Sequence, residues 1–486
     1  MSVRRSLAWA FSGQFTAAFL LFLAWLVIAR LLTPAEVGIF AIAYASAGIV
    51  NILAAVGTNA YIVRELELEP AKIDTAFTVN AILYATLAAL IFLLSFPAAR
   101  FLGSPGVGEV LRLLALRPLF MALEFRPSAL LQREMRFKPI SLITGGAAAV
   151  NATCMVSLAW LGHSYMALAW GVVAGSAFSA IAYNILAAHH ASLRLSLAHW
   201  RAVTAFGLRM LTISGLALLV QRVSEVILGR LQGLAPLGLY TRATQISDMI
   251  FFNLFGTATR VAFVQMSKDH RERGAIRETF LRSLELLTAL MWPLLLGLAV
   301  LAKPAIFILY GEQWLAAAAP LSLLMIAQVI AVGFGMNWEL FVLKDETARQ
   351  TKIEGVRAGL SLTAFTIGAS ISLTAAAIGR IIDCLAGFLL YHSHMKRLAG
   401  ITTREMWRAF AASFLLTLGA VAPPLMLMAW TDWSERTHPL ALAGAVAAGI
   451  GLWLALAVLI RHPLVPELKR LAALATRRGP RAEPEA

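Results

Sequence analysis

Along this chain, apolar runs of one size alternate with short polar stretches. A bilayer-spanning helix needs about 20 consecutive apolar residues, and about fourteen runs of that length can be drawn here. The first six cover residues 7–29, 37–56, 75–96, 110–131, 139–161 and 165–188. The next six cover 203–228, 237–264, 279–302, 319–342, 356–373 and 375–392, and two more follow at 410–429 and 439–460. The pattern predicts an all-α polytopic membrane protein with short connections. The polar remainder, with Lys469, Arg470, Arg477, Arg478 and Arg481, reads as a disordered or surface-bound tail.

Composition sharpens this reading by exclusion. Of 486 residues, 59% are hydrophobic and 14% charged, with a mean hydropathy of +0.76. Soluble domains carry about a quarter charged residues. A water-soluble enzyme, a disordered chain and a soluble domain on one anchor are all excluded, because the apolar excess runs from end to end. The net charge of +15 does not point to nucleic acid, since most of the cations lie in short loops where they set topology. With the N-terminus inside, the inner segments hold about 28 Lys and Arg and the outer ones about six. Both termini are therefore expected in the cytoplasm. Cys154 and Cys384 fall in apolar stretches and read as core residues, neither a disulfide nor a metal site. The opening Met1-Ser-Val-Arg-Arg precedes a run too long for a signal peptide and is expected to lead into an uncleaved first span.

A repeat lies in the outer connections. Ala29-Arg-Leu-Leu-Thr-Pro-Ala-Glu-Val-Gly-Ile-Phe-Ala-Ile-Ala43 follows the first span, and Gly229-Arg-Leu-Gln-Gly-Leu-Ala-Pro-Leu-Gly-Leu-Tyr-Thr-Arg-Ala243 follows the seventh. Arg30 matches Arg230 and Gly38 matches Gly238, with Phe40 opposite Tyr240. Both copies enter the second span of a half, so the repeat length is even and the halves are parallel copies. Parallel repeats characterise transporters whose substrate site lies between the halves.

Arginines lie at depth in these spans: Arg117, Arg126, Arg209, Arg222, Arg242, Arg260 and Arg380, with no lysine among them. Each would cost about 2.5–3.5 kcal/mol against lipid at mid-membrane, so they must face protein or a wet cavity. Guanidinium stays charged and its planar fork matches phosphate oxygens. Arg222 with Glu225, and Arg380 with Asp383, stand three apart and can satisfy themselves locally. Arg209 and Arg260 are near enough to the inner surface to snorkel. Arg117 and Arg242 have no acid three or four positions away and are the leading anion contacts, followed by Arg222 and Arg380. The acids within spans include Glu124, Glu225, Asp248, Glu339 and Asp383; Glu225 and Asp248, near the second repeat turn, are the expected ion-coupling pair. No histidine cluster, glycine-rich phosphate loop or metal-ligand spacing emerges, so no catalytic residue, metal or cofactor is expected.

The stretch Ala29-Arg-Leu-Leu-Thr-Pro-Ala-Glu-Val-Gly38 resembles bacterial polysaccharide-transporter flippases of the Wzx/WzxC kind, within the multidrug/oligosaccharidyl-lipid/polysaccharide exporter superfamily. Leu130-Leu-Gln-Arg-Glu-Met-Arg-Phe-Lys138, Ile227-Leu-Gly-Arg230, Leu237-Gly-Leu-Tyr-Thr-Arg-Ala243 and Leu309-Tyr-Gly-Glu-Gln-Trp314 agree with it. Where that family commonly has an aspartate shortly before Ile-Leu-Gly-Arg, this chain has Glu225. The resemblance implies translocation of an undecaprenyl-diphosphate-linked oligosaccharide (an O-antigen, capsule or exopolysaccharide unit) across the bacterial inner membrane. It also implies two six-helix bundles around a cationic cavity.

The expected organisation is an N-terminal six-helix bundle at 1–195, a second at 196–400, two additional transmembrane helices at 401–462 and a basic cytoplasmic tail at 463–486. The expected partners are the lipid-linked oligosaccharide, membrane lipid and polysaccharide polymerase or assembly proteins, with no nucleic acid. The expected mechanism is alternating access with no bond made or broken. A cation-coupled multidrug exporter is the nearest rival, opposed by the excess of arginines over acids within spans. A membrane-embedded polymerase or ligase is opposed by outer loops of connector length; a lipid scaffold that transports nothing is left open.

Overall fold

The structure is a computed structural model that describes residues 3–476 except 56, 57, 66, 191, 193 and 275. Among the described residues there is no strand, and eleven helices are long and apolar enough to cross a bilayer. Their outward faces show what solvent they are built for. Trp160, Trp430, Leu440 and Leu459 are more than 70% exposed, and only 11% of the apolar window of Pro439–Leu459 is buried. Apolar surface on that scale is not found on soluble monomers; here lipid covers it, and the chain is a multi-pass helical membrane protein.

The chain divides into two compact units. The first comprises the described residues of Met1–Arg242, Leu309–Trp314 and Phe365–Ala376. Its helices are α1 (Val3–Leu31), α2 (Pro34–Asn51), α3 (Thr58–Arg64), α4 (Pro70–Phe101), α5 (Pro105–Leu114), α6 (Leu116–Arg133), α7 (Phe137–Trp160), α8 (Ser164–Leu186), α9 (Trp200–Gln232) and the first turns of α10 (Leu234–Ile250). In it α1 packs on α7, α7 on α8, α4 on α6, and α2 on both α5 and α9. Tyr61, Ile62, Phe77, Phe125 and Val203 form one of its buried clusters.

The second unit comprises the described residues of Ala243–Ile308, Leu315–Ala364 and Ala377–Ala486. It holds α11 (Gly256–Arg273), α12 (Arg277–Val300), most of α13 (Ala302–Tyr310), α14 (Ala318–Phe334), α15 (Asn337–Leu343), most of α16 (Thr347–Ile371) and of α17 (Leu373–Ala399), α18 (Thr403–Trp430), α19 (Pro439–Leu459) and α20 (Leu464–Thr476). Here α12 packs on α14 and α18, and α18 on α19. The expected tail is helical through Thr476, with Glu467 paired to Arg282 and Arg470; residues 477–486 lie outside the described residues.

Local chemistry explains the ends and breaks. Thr33 and Glu36 close a reciprocal capping box at the start of α2, and Pro34 occupies the first helical position, where its missing N–H costs nothing. Thr402 and Glu405 repeat that box at α18. The run expected as one span over 110–131 is two helices meeting at Ala115, because Pro118 has no N–H to return to the Leu114 carbonyl. The run over 237–264 is likewise interrupted, by a π-helical turn at Phe251–Phe255. Eleven runs coincide with the apolar candidate spans. The other three are helical too, in α5–α6, α9 and α16, and they carry Arg117 with Arg126, Arg222 with Glu225, and Arg357.

Candidate functional site

In the first unit, Tyr44 is in reach of two guanidinium groups. It stands on α2 almost three turns past the capping box, beside the first turn of α6 and the C-terminal half of α9. Arg117 Nη1 donates to Tyr44 Oη at 3.3 Å, and its guanidinium carbon is 5.9 Å from the ring centroid. The Arg222 guanidinium carbon is 5.2 Å from the same centroid. Both distances are within the reach of cation–π attraction, about 6 Å. One turn on, Gly48 makes room: a Cβ there would sit 3.0 Å from both Cδ and Nε of Arg222.

These residues face a cavity of about 180 Å³, with Tyr44, Gly48, Asn51, Arg117 and Arg222 in its wall. A water molecule needs about 10–15 Å³ of such space, so the cavity admits a polyatomic group. Arg222 Nη1 also donates to Glu225 Oε2 at 2.9 Å. Two fixed cations and one neighbouring carboxylate leave a net positive wall in a setting where charge is weakly screened. That arrangement favours an anion, and the forked donors favour phosphate or carboxylate.

Of the residues picked out in the sequence, Arg117, Arg222 and Glu225 are thus brought together. Arg242 has a different setting. It is 1% exposed and its guanidinium carbon lies 3.8 Å from the Trp25 ring centroid, 5.4 Å from Trp314 and 5.8 Å from Tyr310. Trp314 is held in turn by Nε1 donating to the Ala29 carbonyl at 2.6 Å. Arg242 is not in the cavity wall that holds Arg117 and Arg222. The repeat-turn arginines are exposed; Arg230 lies over the Phe101 ring at 5.3 Å, and Arg30 ends α1.

Arg380 and Asp248 belong to the second unit. Arg380 Nη1 pairs with Asp383 Oδ2 at 3.0 Å, the local pair that their spacing allows. A further arginine joins them: Arg357 donates through Nε to Oδ1 at 3.1 Å and through Nη2 to Oδ2 at 3.3 Å. Its spacing from Asp383 gives no hint of this, because α16 and α17 supply the two partners. Asp248 is half-buried on α10. Among the other arginines picked out in the sequence, Arg126 pairs with Asp74, Arg260 donates to the Gly256 carbonyl of its own helix at 2.9 Å, and the Arg209 side chain lies outside the described residues.

One grouping has metal-ligand geometry among the described residues: the ligand atoms of Glu134, His189 and His190 lie within 4.8 Å of one another. Arg136 Nη1, 3.4 Å from His189 Nε2 and 3.7 Å from Glu134, places a fixed positive charge inside it, which opposes a cation.

Comparison with known proteins bears on the whole chain. A family profile described as polysaccharide biosynthesis protein matches residues 27–319. The chain is 23% identical over 455 residues to the lipopolysaccharide biosynthesis protein WzxC of Escherichia coli (strain K12), covering 91% of each. It is 25% identical over 334 residues to the succinoglycan biosynthesis transport protein ExoT of Rhizobium meliloti (strain 1021), covering 68% of this chain and 67% of that one. Its fold resembles that of the lipid II flippase MurJ in an inward closed conformation, with a TM-score of 0.72 at 13% identity over 93% of this chain and 98% of that one. An inward-facing multidrug resistance transporter of the MATE family gives 0.61 at 15% identity over 83% and 97%.

Proposed function

The chain belongs to the polysaccharide biosynthesis protein family, and on that premise we propose that it is a flippase for an undecaprenyl-diphosphate-linked oligosaccharide. It works in the bacterial inner membrane by alternating access, with both termini in the cytoplasm. The observation that carries the reading is the placement of Arg117 and Arg222 against one cavity across Tyr44. A diphosphate that leaves the headgroup region must exchange its hydration for other donors, since an unneutralised anion at that depth is costly. Two guanidinium forks supply charge and directed N–H groups together. The polyprenyl tail stays in lipid throughout, and no bond is made or broken.

The names of the relatives support the cargo class, and the likeness to MurJ supports an architecture able to carry a lipid. The anion site of this proposal is confined to Arg117 and Arg222, which line one cavity; Arg242 is shut behind aromatic rings, and Arg380 belongs to the second unit, where it shares Asp383 with Arg357. Glu225, which holds Arg222, is the acid placed to respond when an anion arrives, so it is the preferred coupling group. Polysaccharide polymerase or assembly proteins are the partners that would receive the cargo.

The test is leaflet accessibility of a lipid-linked oligosaccharide in proteoliposomes, with and without an imposed pH gradient. Wild-type protein should expose the lipid to the far leaflet, and Arg117→Ala and Arg222→Ala should each slow this at least tenfold at equal amounts of inserted protein. Full rates in both variants would remove the anion site; no movement with wild-type protein would remove the flippase reading.

A further inference from the structure

The first unit holds a second cavity, of about 380 Å³, walled by amide, carboxyl and phenol groups: Asn59, Asn80, Tyr84, Glu124, Gln132 and Tyr183. Both cavities draw on one face of α6. Arg117 opens that helix, and Met121, Glu124, Ser128 and Gln132 follow at steps of three or four residues, the spacing of neighbours on one helix face. Seven residues separate Arg117 from Glu124, about 10 Å along the axis. The cavities also meet on either side of one short turn: Ile52 lines the first and Ala54 the second.

The chemistry of the second wall differs from that of the first. No lysine or arginine is among its described lining residues, so it offers a phosphate no fixed cation. Primary amides both donate and accept, and a carboxylate accepts at two oxygens; sugar hydroxyls likewise both donate and accept. Asn59 Nδ2 donates to Gln132 Oε1 at 3.1 Å, while Asn59 Oδ1 has no hydrogen-bond partner among the described residues. Ser179 donates to Glu124 Oε2 and leaves the other carboxylate oxygen for a further donor. Tyr84 and Tyr183 add flat apolar faces of the kind that the C–H face of a pyranose covers. We infer that this cavity is the glycan subsite, taking the polyhydroxylated sugar nearest the lipid while the diphosphate rests on Arg117 and Arg222. The inference rests on the flippase reading and adds where, and by which groups, the sugar is recognised.

The test compares two probes on detergent-solubilised full-length protein by native mass spectrometry: undecaprenyl diphosphate, and the lipid-linked oligosaccharide extracted from the source cells. Wild-type protein should bind the sugar-bearing lipid at least tenfold more tightly than the bare one. Gln132→Leu and the near-isosteric Glu124→Gln should each erase that preference while leaving bare-lipid binding within twofold. Arg117→Ala should weaken both. An unchanged preference in both variants, or equal loss of both lipids, overturns the subsite, as does wild-type protein that shows no preference. A sodium dependence that Glu124→Gln abolishes with sugar preference intact marks a cation site and also overturns it. Wild-type protein that binds neither lipid removes the flippase reading itself, and the subsite with it.

Discussion

Gly38 and Gly238, 200 positions apart, each lie against the backbone of the other's helix. A Cβ on Gly38 would stand 1.8 Å from the Leu234 carbonyl oxygen, and one on Gly238 would stand 1.9 Å from that of Pro34. Leu234 and Pro34 are themselves 200 positions apart, so the contact is reciprocal, as at a two-fold interface where i meets j and j meets i. The two repeat turns found in the sequence are therefore a touching pair, and small residues allow helices to approach this closely.

Alanine at either glycine must displace backbone, which no rotamer change relieves. Gly38→Ala and Gly238→Ala should each cost about 1–3 kcal/mol, the usual price of overpacking. The double variant should cost less than the sum, because one displacement serves both. Thermal unfolding in detergent checks this; two independent, additive losses would mean that the glycines do not share a contact.

Tyr44 positions Arg117 and Arg222 mainly through its ring, with the hydroxyl bonded only to Arg117. Tyr44→Phe should lower transport by less than about threefold, and Tyr44→Leu by about tenfold, since each cation–π contact is worth about 0.5–2 kcal/mol. Equal losses in both variants would assign the effect to the hydroxyl.

Arg242, under Trp25, Trp314 and Tyr310, is expected to hold structure together. Arg242→Ala should destabilise by about 2–4 kcal/mol through lost cation–π attraction and a cavity among rings, and should reduce inserted protein. Arg242→Lys should fall between, because an ammonium lacks the planar face that stacks. Full thermal stability with transport lost would return Arg242 to the substrate path.

Asp383, 2% exposed, holds Arg357 and Arg380 together. Asp383→Asn leaves two partly buried guanidinium groups facing each other, with Glu354 still paired to Arg357, and should cost about 3 kcal/mol. Adding Arg357→Gln should recover part of that loss in the same unfolding assay; no recovery would mean that the two arginines are not coupled through this carboxylate.

Hydropathy and residue order along the chain were enough to read the solvent, eleven of the fourteen expected spans and the paired glycine turns. A bilayer acts on each helix separately, so length and composition report a span without knowledge of its neighbours. Arg222 with Glu225 and Arg380 with Asp383 were legible for the same reason, as contacts within one helical turn. Tertiary structure alone decided which face each helix turns to which neighbour. It set Arg117 and Arg222 on one tyrosine, closed Arg242 behind tryptophans, and brought Arg357 to Asp383 from another helix. Rotation about a helix axis leaves hydropathy unchanged while moving a side chain from a wet cavity to a dry cage, so composition and spacing could not distinguish the two settings.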